Sequence, residues 1–212
     1  MNAHNLADAK QIWESSENTF GMNHMVASSA DVVTSGAPAF VVETMRGYTA
    51  WFADKDSRED GVNFTDPSTK KPFMAGFAMK DAVFRTNHAY DPSINKWVTK
   101  HITQKTSSFE RYVVLKDSLN AYGNSAIGDI EAVNITANPA HKGGSNLYKC
   151  PEGKDDGTNV ISVTFVPGES RMYTAMEYGV GDKWKSACCS AYVHIDLKPW
   201  FATKQAGETV QH

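Results

Sequence analysis

Thr158 to Val166 and Met172 to Tyr178 are two strongly β-forming runs separated only by Pro167-Gly168-Glu169-Ser170-Arg171, and this pair constrains the fold more than any other feature. Proline fixes one backbone angle and glycine relaxes the next, so the runs turn back on each other as an antiparallel hairpin. Along the first run Val160, Ser162, Thr164 and Val166 alternate with Ile161, Val163 and Phe165. Successive strand side chains point to opposite faces, which leaves one face of the hairpin wholly apolar.

The other segments read as a mixture. Leu6, Ala9, Ile12 and Trp13 recur at helical spacing, and Asn5 ahead of them can accept an unpaired first-turn N–H. Phe20 to Ala27 reads as a strand. Phe40 to Thr44 and Tyr48 to Ala53 read as a hairpin across Met45-Arg46-Gly47, with Gly47 supplying a positive φ. Asp54 to Phe73 is a charged loop, Phe77 to Arg85 a strand, and Asn87 to Thr106 polar and irregular. Ser107-Ser108-Phe109-Glu110 has capping-box spacing, and Phe109, Tyr112, Leu115 and Leu119 form the buried stripe of a helix ending near Gly123. A second helix starts at Ser125 with Ile127, Ile130 and Val133 in phase. His141 to Gly157 is a loop, and Ala191 to Leu197 a last strand before a polar tail. Strands, a helix pair and strands again argue for an α+β fold of antiparallel sheet against helices, in a single domain over residues 1–212.

Composition narrows the function classes. The 212 residues are 41% apolar and 21% charged with a net charge of −3, so no basic surface marks nucleic acid as a partner. No apolar stretch approaches the ~18 residues of a membrane span, and Met1 to Lys10 is too polar for a signal peptide. Cys150, Cys188 and Cys189 are too few and too irregular for a disulfide framework, and His141 and Cys150 lack a recognised metal-ligand spacing. No metal or cofactor is expected. Asn63-Phe64-Thr65 and Asn134-Ile135-Thr136 are glycosylation sequons, which point to a secretory or lysosomal route.

Several patterns in order carry a resemblance: Glu17-Asn18-Thr19-Phe20-Gly21-Met22-Asn23, then Val41-Val42-Glu43, Arg85-Thr86-Asn87-His88, Ser107-Ser108-Phe109-Glu110-Arg111-Tyr112, His141 and Cys150 ahead of Thr158 to Val163, and Ala191 to Leu197. The set resembles the cysteine N-terminal-nucleophile (Ntn) hydrolases of the penicillin-side-chain acyltransferase and acid-ceramidase-like type, over roughly Leu6 to Phe201. The resemblance implies an αββα sandwich of two antiparallel sheets. It also implies acyl transfer from small-molecule amides through an N-terminal cysteine whose own α-amine acts as base.

Oxyanions formed in such a reaction need fixed donors. The resemblance assigns that role to Asn87, whose amide donates without changing charge; the plain alternative is an asparagine ending a strand. Arg85, His88 and Arg111 are candidates for binding substrate, the arginines through their planar forks. Alternatively Arg85 is a solvated strand end, Arg111 pairs with a carboxylate and His88 is structural. Ser107 reads as a helix cap, and Glu43 is either buried against an arginine or solvated. No cysteine precedes Cys150, and Met1 stands only about sixteen residues ahead of the Glu17-Asn18 stretch. The chain therefore reads as the C-terminal major part of the family domain, incomplete at its N-terminus: a fragment, a processed subunit or a truncated product. Its nucleophile would come from a separate N-terminal segment. A non-catalytic homologue is the alternative, and Cys188 or Cys189 with His194 as base is a third reading.

Overall fold

The computed structural model describes residues 3–17, 21–34, 38–97, 102–123, 125–137 and 159–202. They divide into two compact units, residues 3–123 in the first and the remainder in the second, where the sequence suggests one domain. The loop His141 to Gly157, with His141 and Cys150, lies outside the described residues, as do Asn18, Thr19, Phe20 and Thr158.

In the first unit α1 (Leu6–Glu14) starts where expected: the Asn5 side chain accepts the Asp8 N–H at 2.8 Å. Strand β1 (Asn23–Ala27), a short helix α2 (Ser29–Thr34), and strands β2 (Ala39–Met45) and β3 (Tyr48–Phe52) follow. The strands form an antiparallel sheet in that order. Met45 pairs with Tyr48, so Arg46 and Gly47 alone make the turn, and Gly47 takes φ +71°. That left-handed angle is what glycine adopts at low cost.

His24, Val42 and Trp51 share one row of the sheet, and Trp13 of α1 meets it edge-on, with ring centroids 4.6 Å from His24 and 6.4 Å from Trp51. The opposite face sends Val41, Ala50 and Phe52 into a cluster with Phe64, Phe73, Phe84, Tyr90, Phe109 and Tyr112. Each fully buried side chain of this size contributes about 1.5–3 kcal/mol. The aromatic cluster is therefore the main source of this unit's stability.

Phe64 and Phe73 of the cluster come from β4 (Asn63–Thr65) and β5 (Pro72–Met74), a two-stranded sheet inside the segment expected to be loop. Helix α3 (Pro92–Asn95) is capped by Asp91, with Pro92 in the first turn. The expected strand Phe77 to Arg85 joins no sheet among the described residues. Asp81 at φ +59° breaks it, and its apolar residues Phe77, Met79 and Val83 pack on the cluster from irregular backbone. Helix α4 (Ser107–Tyr122) buries Phe109 and Tyr112 and half-buries Leu115 and Leu119, as the stripe predicts. The expected capping box is not formed. Thr106 is the N-cap, its hydroxyl accepts the Thr103 N–H at 2.9 Å, and its carbonyl takes the Glu110 N–H at 3.0 Å.

The second unit comprises α5 (Asp129–Ala137), β6 (Ile161–Val166), β7 (Arg171–Met176), β8 (Val193–Asp196) and α6 (Lys198–Ala202). The strands form an antiparallel sheet in the order β6-β7-β8, with a single turn of 3₁₀ helix, Pro167–Glu169, at the predicted hairpin. Register places Ile161, Val163, Phe165, Met172, Met176, Val193 and Ile195 on one face. Helix α5 lies on the other. Thr164 donates to Thr136 at 3.3 Å, Tyr173 donates to Asp129 at 2.9 Å, and Arg171 pairs with Asp129 at 2.8 Å.

The helix begins at Asp129 rather than Ser125, and Ile130 is exposed. Asp129, Val133 and Thr136, at helical spacing, face the sheet instead. A polar sheet face selects that stripe over the isoleucines. The coarse class is α+β, with three small antiparallel sheets and helices.

Candidate functional site

A charge sits at the centre of the first unit. Arg85 and Glu43, with side chains 2% and 0% exposed, pair at 2.7 Å, and a second guanidinium nitrogen of Arg85 contacts Glu59. The Phe52 and Tyr90 rings flank the guanidinium at 4.6 and 4.8 Å. Glu43 also accepts the backbone N–H groups of Tyr90 at 2.9 Å and Asp91 at 2.8 Å. Burial works against the Arg85 charge, but the two carboxylates outweigh it and hold its pKa above the usual value. Burial raises Glu59, with Arg85 opposing. Of the two alternatives for Glu43 the structure takes the buried one. Arg85 is neither solvated nor open to a ligand: its fork is committed to two protein carboxylates, which corrects its place among the substrate-binding candidates.

His88 is 1% exposed. Its Nδ1 lies 2.7 Å from Ser108 Oγ and its Nε2 lies 2.9 Å from Tyr90 Oη. Tyr90 donates its hydroxyl proton to the Ala75 carbonyl at 2.6 Å, so Tyr90 Oη accepts from His88 Nε2–H. Nδ1 is then the acceptor, and Ser108 donates to it. Thr86 donates to the Ser108 carbonyl at 2.7 Å. The Asn87 N–H donates to Ser108 Oγ at 2.8 Å, completing a directional chain from the Asn87 amide to the Ala75 carbonyl. Burial first, then the Arg85 and Arg111 charges, lower the His88 pKa to about 3, so the ring is neutral. A neutral ring with both nitrogens engaged inside the protein holds the Asn87 loop in place and lines no open pocket. The structural alternative applies to His88.

Asn87 itself is exposed at the residue level, while everything around its backbone is fixed. Asn23 of β1 donates from Nδ2 to the Thr86 carbonyl at 2.7 Å and to the His88 carbonyl at 2.9 Å, bracketing Asn87 on both sides. The Asn87 side-chain oxygen accepts from Arg111 Nη2, and Nδ2 makes no hydrogen bond among the described residues. Arg111 Nε reaches Ser107 Oγ at a long 3.4 Å, and Arg111 pairs with no carboxylate among the described residues. Burial lowers its pKa. The site is thus an open amide N–H₂ with its orientation set by a partly desolvated guanidinium. Ser108 and Asn23, which nothing in the spacing singles out as functional, turn out to position it.

In the second unit Cys188 is buried and takes part in no disulfide, and Cys189 is disulfide-bonded. His194 is exposed and lies against Tyr173 with the rings tilted and their centroids 5.3 Å apart; it makes no hydrogen bond among the described residues. These facts leave no thiol–imidazole pair for the third reading. Among the described residues no His, Cys, Asp and Glu side chains cluster to hold a metal, and no helix is long and apolar enough to cross a membrane. Comparison with protein-family models, with curated proteins and with solved structures returns no match to this chain.

Proposed function

We propose that this chain carries the oxyanion-binding part of a thiol-dependent amidohydrolase or acyltransferase, with Asn87 Nδ2 as the donor and the nucleophilic sulfur contributed by a separate N-terminal segment. One observation supports it: the motif pieces that carry the resemblance converge. Asn23 clamps the Thr86-Asn87-His88 loop, Ser108 and Arg111 hold Asn87 from α4, and Glu43 anchors Arg85 at the loop's base. Such convergence yields a donor with a fixed direction and a free N–H₂ group. Arg111 contributes in two ways, by orienting that amide and by offering positive charge near a developing oxyanion or a substrate carboxylate. An exposed donor is worth little in water. Catalysis therefore requires the nucleophile-bearing segment to cover Asn87, completing the two-sheet αββα sandwich that the resemblance implies.

The alternative is a non-catalytic homologue that keeps this framework. The neutral, fully engaged His88 and the doubly paired Arg85 favour it, because neither is available for chemistry.

Whether a cysteine-led segment is encoded in frame ahead of Met1 decides between them. Produced together with that segment, the protein should cleave a fluorogenic acyl amide, and Asn87→Ala should lower kcat by roughly 10²–10³-fold, the effect of losing one oxyanion donor. The 212-residue chain alone should be inactive on the same amide. An upstream frame without a cysteine-led segment, or an active protein indifferent to Asn87→Ala, would overturn the enzyme reading.

A further inference from the structure

The geometry points to Asn63 as an N-glycosylation site, with its sugar standing on the outer face of the β4–β5 hairpin. This rests on none of the acyl-transfer proposal. The sequon Asn63-Phe64-Thr65 coincides with strand β4, whose alternation exposes Asn63 and Thr65 and buries Phe64. Phe64 packs against Phe73 and Tyr90 with ring centroids 6.1 and 5.9 Å away. Both groups that define the acceptor therefore face outward, while the residue between them holds the strand in place.

The chemistry fits the site. In N-glycosylation a bond forms between Asn63 Nδ2 and the anomeric carbon of an oligosaccharide carried on a lipid pyrophosphate. The bond from that carbon to the pyrophosphate oxygen breaks, the pyrophosphate leaves with the electron pair, and Nδ2 gives up one proton. The second amide hydrogen remains, so the bond that Asn63 Nδ2 donates to the Gly61 carbonyl at 2.8 Å can persist. A sugar here would also cover the edge of β4, which pairs only with β5 among the described residues; unpaired strand edges invite association unless something blocks them.

Asn134, in the other sequon, is also exposed, but its Thr136 hydroxyl is occupied: it donates to the Ala132 carbonyl at 2.8 Å and accepts from Thr164 at 3.3 Å. Asn63 is the better placed of the two.

The test expresses the full chain behind a cleavable secretory leader in cultured mammalian cells. Glycans are then removed with peptide-N-glycosidase in ¹⁸O-water, and the peptides from lysate and medium are read by mass. Asn63 should be converted to labelled aspartate in both fractions. Asn63→Gln and Thr65→Ala should each remove one glycosidase-sensitive step on a gel, Thr65→Ser should retain it, and Asn134→Gln should leave it in place. Transfer is read in the lysate as well as the medium, so a variant that folds poorly still reports. An unmodified Asn63 in the secreted chain, or label confined to Asn134, would overturn the assignment.

Discussion

The two three-stranded sheets are alike in size and antiparallel pairing but are covered in opposite ways. Sheet β1-β2-β3 is covered on both faces, by Trp13 of α1 on one and by the aromatic cluster on the other, and it buries a charge, Glu43, at its centre. Sheet β6-β7-β8 receives α5 on its polar face, burying Ser162, Thr164 and Ala175, while Ile161, Phe165, Met176 and Val193 stay 52%, 62%, 62% and 59% exposed. The difference teaches that alternation fixes which residues share a face and leaves open which face is inside. That choice belongs to the element that docks. Asp129 and Thr136 of α5 offer hydrogen bonds to the polar face, whereas Arg85 offers the first sheet a counter-charge from a loop.

The largest test of this contrast removes that counter-charge. Arg85→Ala leaves Glu43 and Glu59 buried without a counter-charge, and breaking a buried pair costs about 3–5 kcal/mol. Phe52→Ala, which empties one wall of the guanidinium's pocket, should cost a similar ~3–5 kcal/mol. Urea denaturation at neutral pH measures both. If Arg85→Ala shifts the midpoint no more than a surface substitution does, the first sheet's core does not depend on its charge.

Acid should unfold the first unit through His88. Its folded pKa of about 3 lies below the ordinary 6.5, so the stability it contributes is fully present above 6.5 and is lost as pH falls toward 3. At pH ~4 the loss amounts to about 3 kcal/mol, at 1.36 kcal/mol per unit. Glu59 works in the opposite sense: burial raises it, so its contribution is present below the ordinary carboxylate value and lost as pH rises through its folded value. Denaturation midpoints measured from pH 7 to pH 4 should fall steeply for the natural chain. His88→Gln should flatten that fall, and an unchanged slope in this variant would show that another group drives acid unfolding.

Asn23→Ala probes how the first sheet holds its loop. The substitution strands the Thr86 and His88 carbonyls, and each unsatisfied buried acceptor costs about 1–3 kcal/mol. Water reaching the half-buried clamp should reduce the total to roughly 1–2 kcal/mol. Amide hydrogen exchange at Asn87, whose N–H is held by Ser108, should accelerate in the same variant. Unchanged exchange would mean that Ser108 alone suffices.

Much of the fold was legible where a local rule decides the outcome. The Asn5 cap, the Arg46-Gly47 turn, the α4 stripe and the Pro167 hairpin all follow from spacing and from single-residue backbone preferences. Elements decided by tertiary contacts were not legible. Phe77 to Arg85 has strand composition, but the cluster takes its side chains and no strand takes its backbone. Helix α3 carries a readable signal, Asp91 before Pro92, inside a stretch whose polar composition otherwise reads as irregular. In the candidate site, Asn87 and Arg111 meet as a pair, but Ser108 bridges to His88 only because the loop and the helix start come together from positions 20 residues apart. No local pattern reports such a distance in sequence.

The smallest expected effect separates the two sheets most sharply. Phe165→Ala removes a large apolar side chain that the described contacts leave in solvent, so its cost should stay within about 0.5 kcal/mol, the range of surface substitutions. The same change at Phe52, 1% exposed, should cost several times more. Binding of a fluorescent apolar dye should fall when Phe165 and Met176 are both changed to threonine, because contiguous exposed apolar area is what such a dye reports. A cost of 2 kcal/mol or more for Phe165→Ala, on the order of a core truncation, would show that this face is covered in solution. The contrast between the sheets would then lie in what each one recruits, with both burying their apolar side.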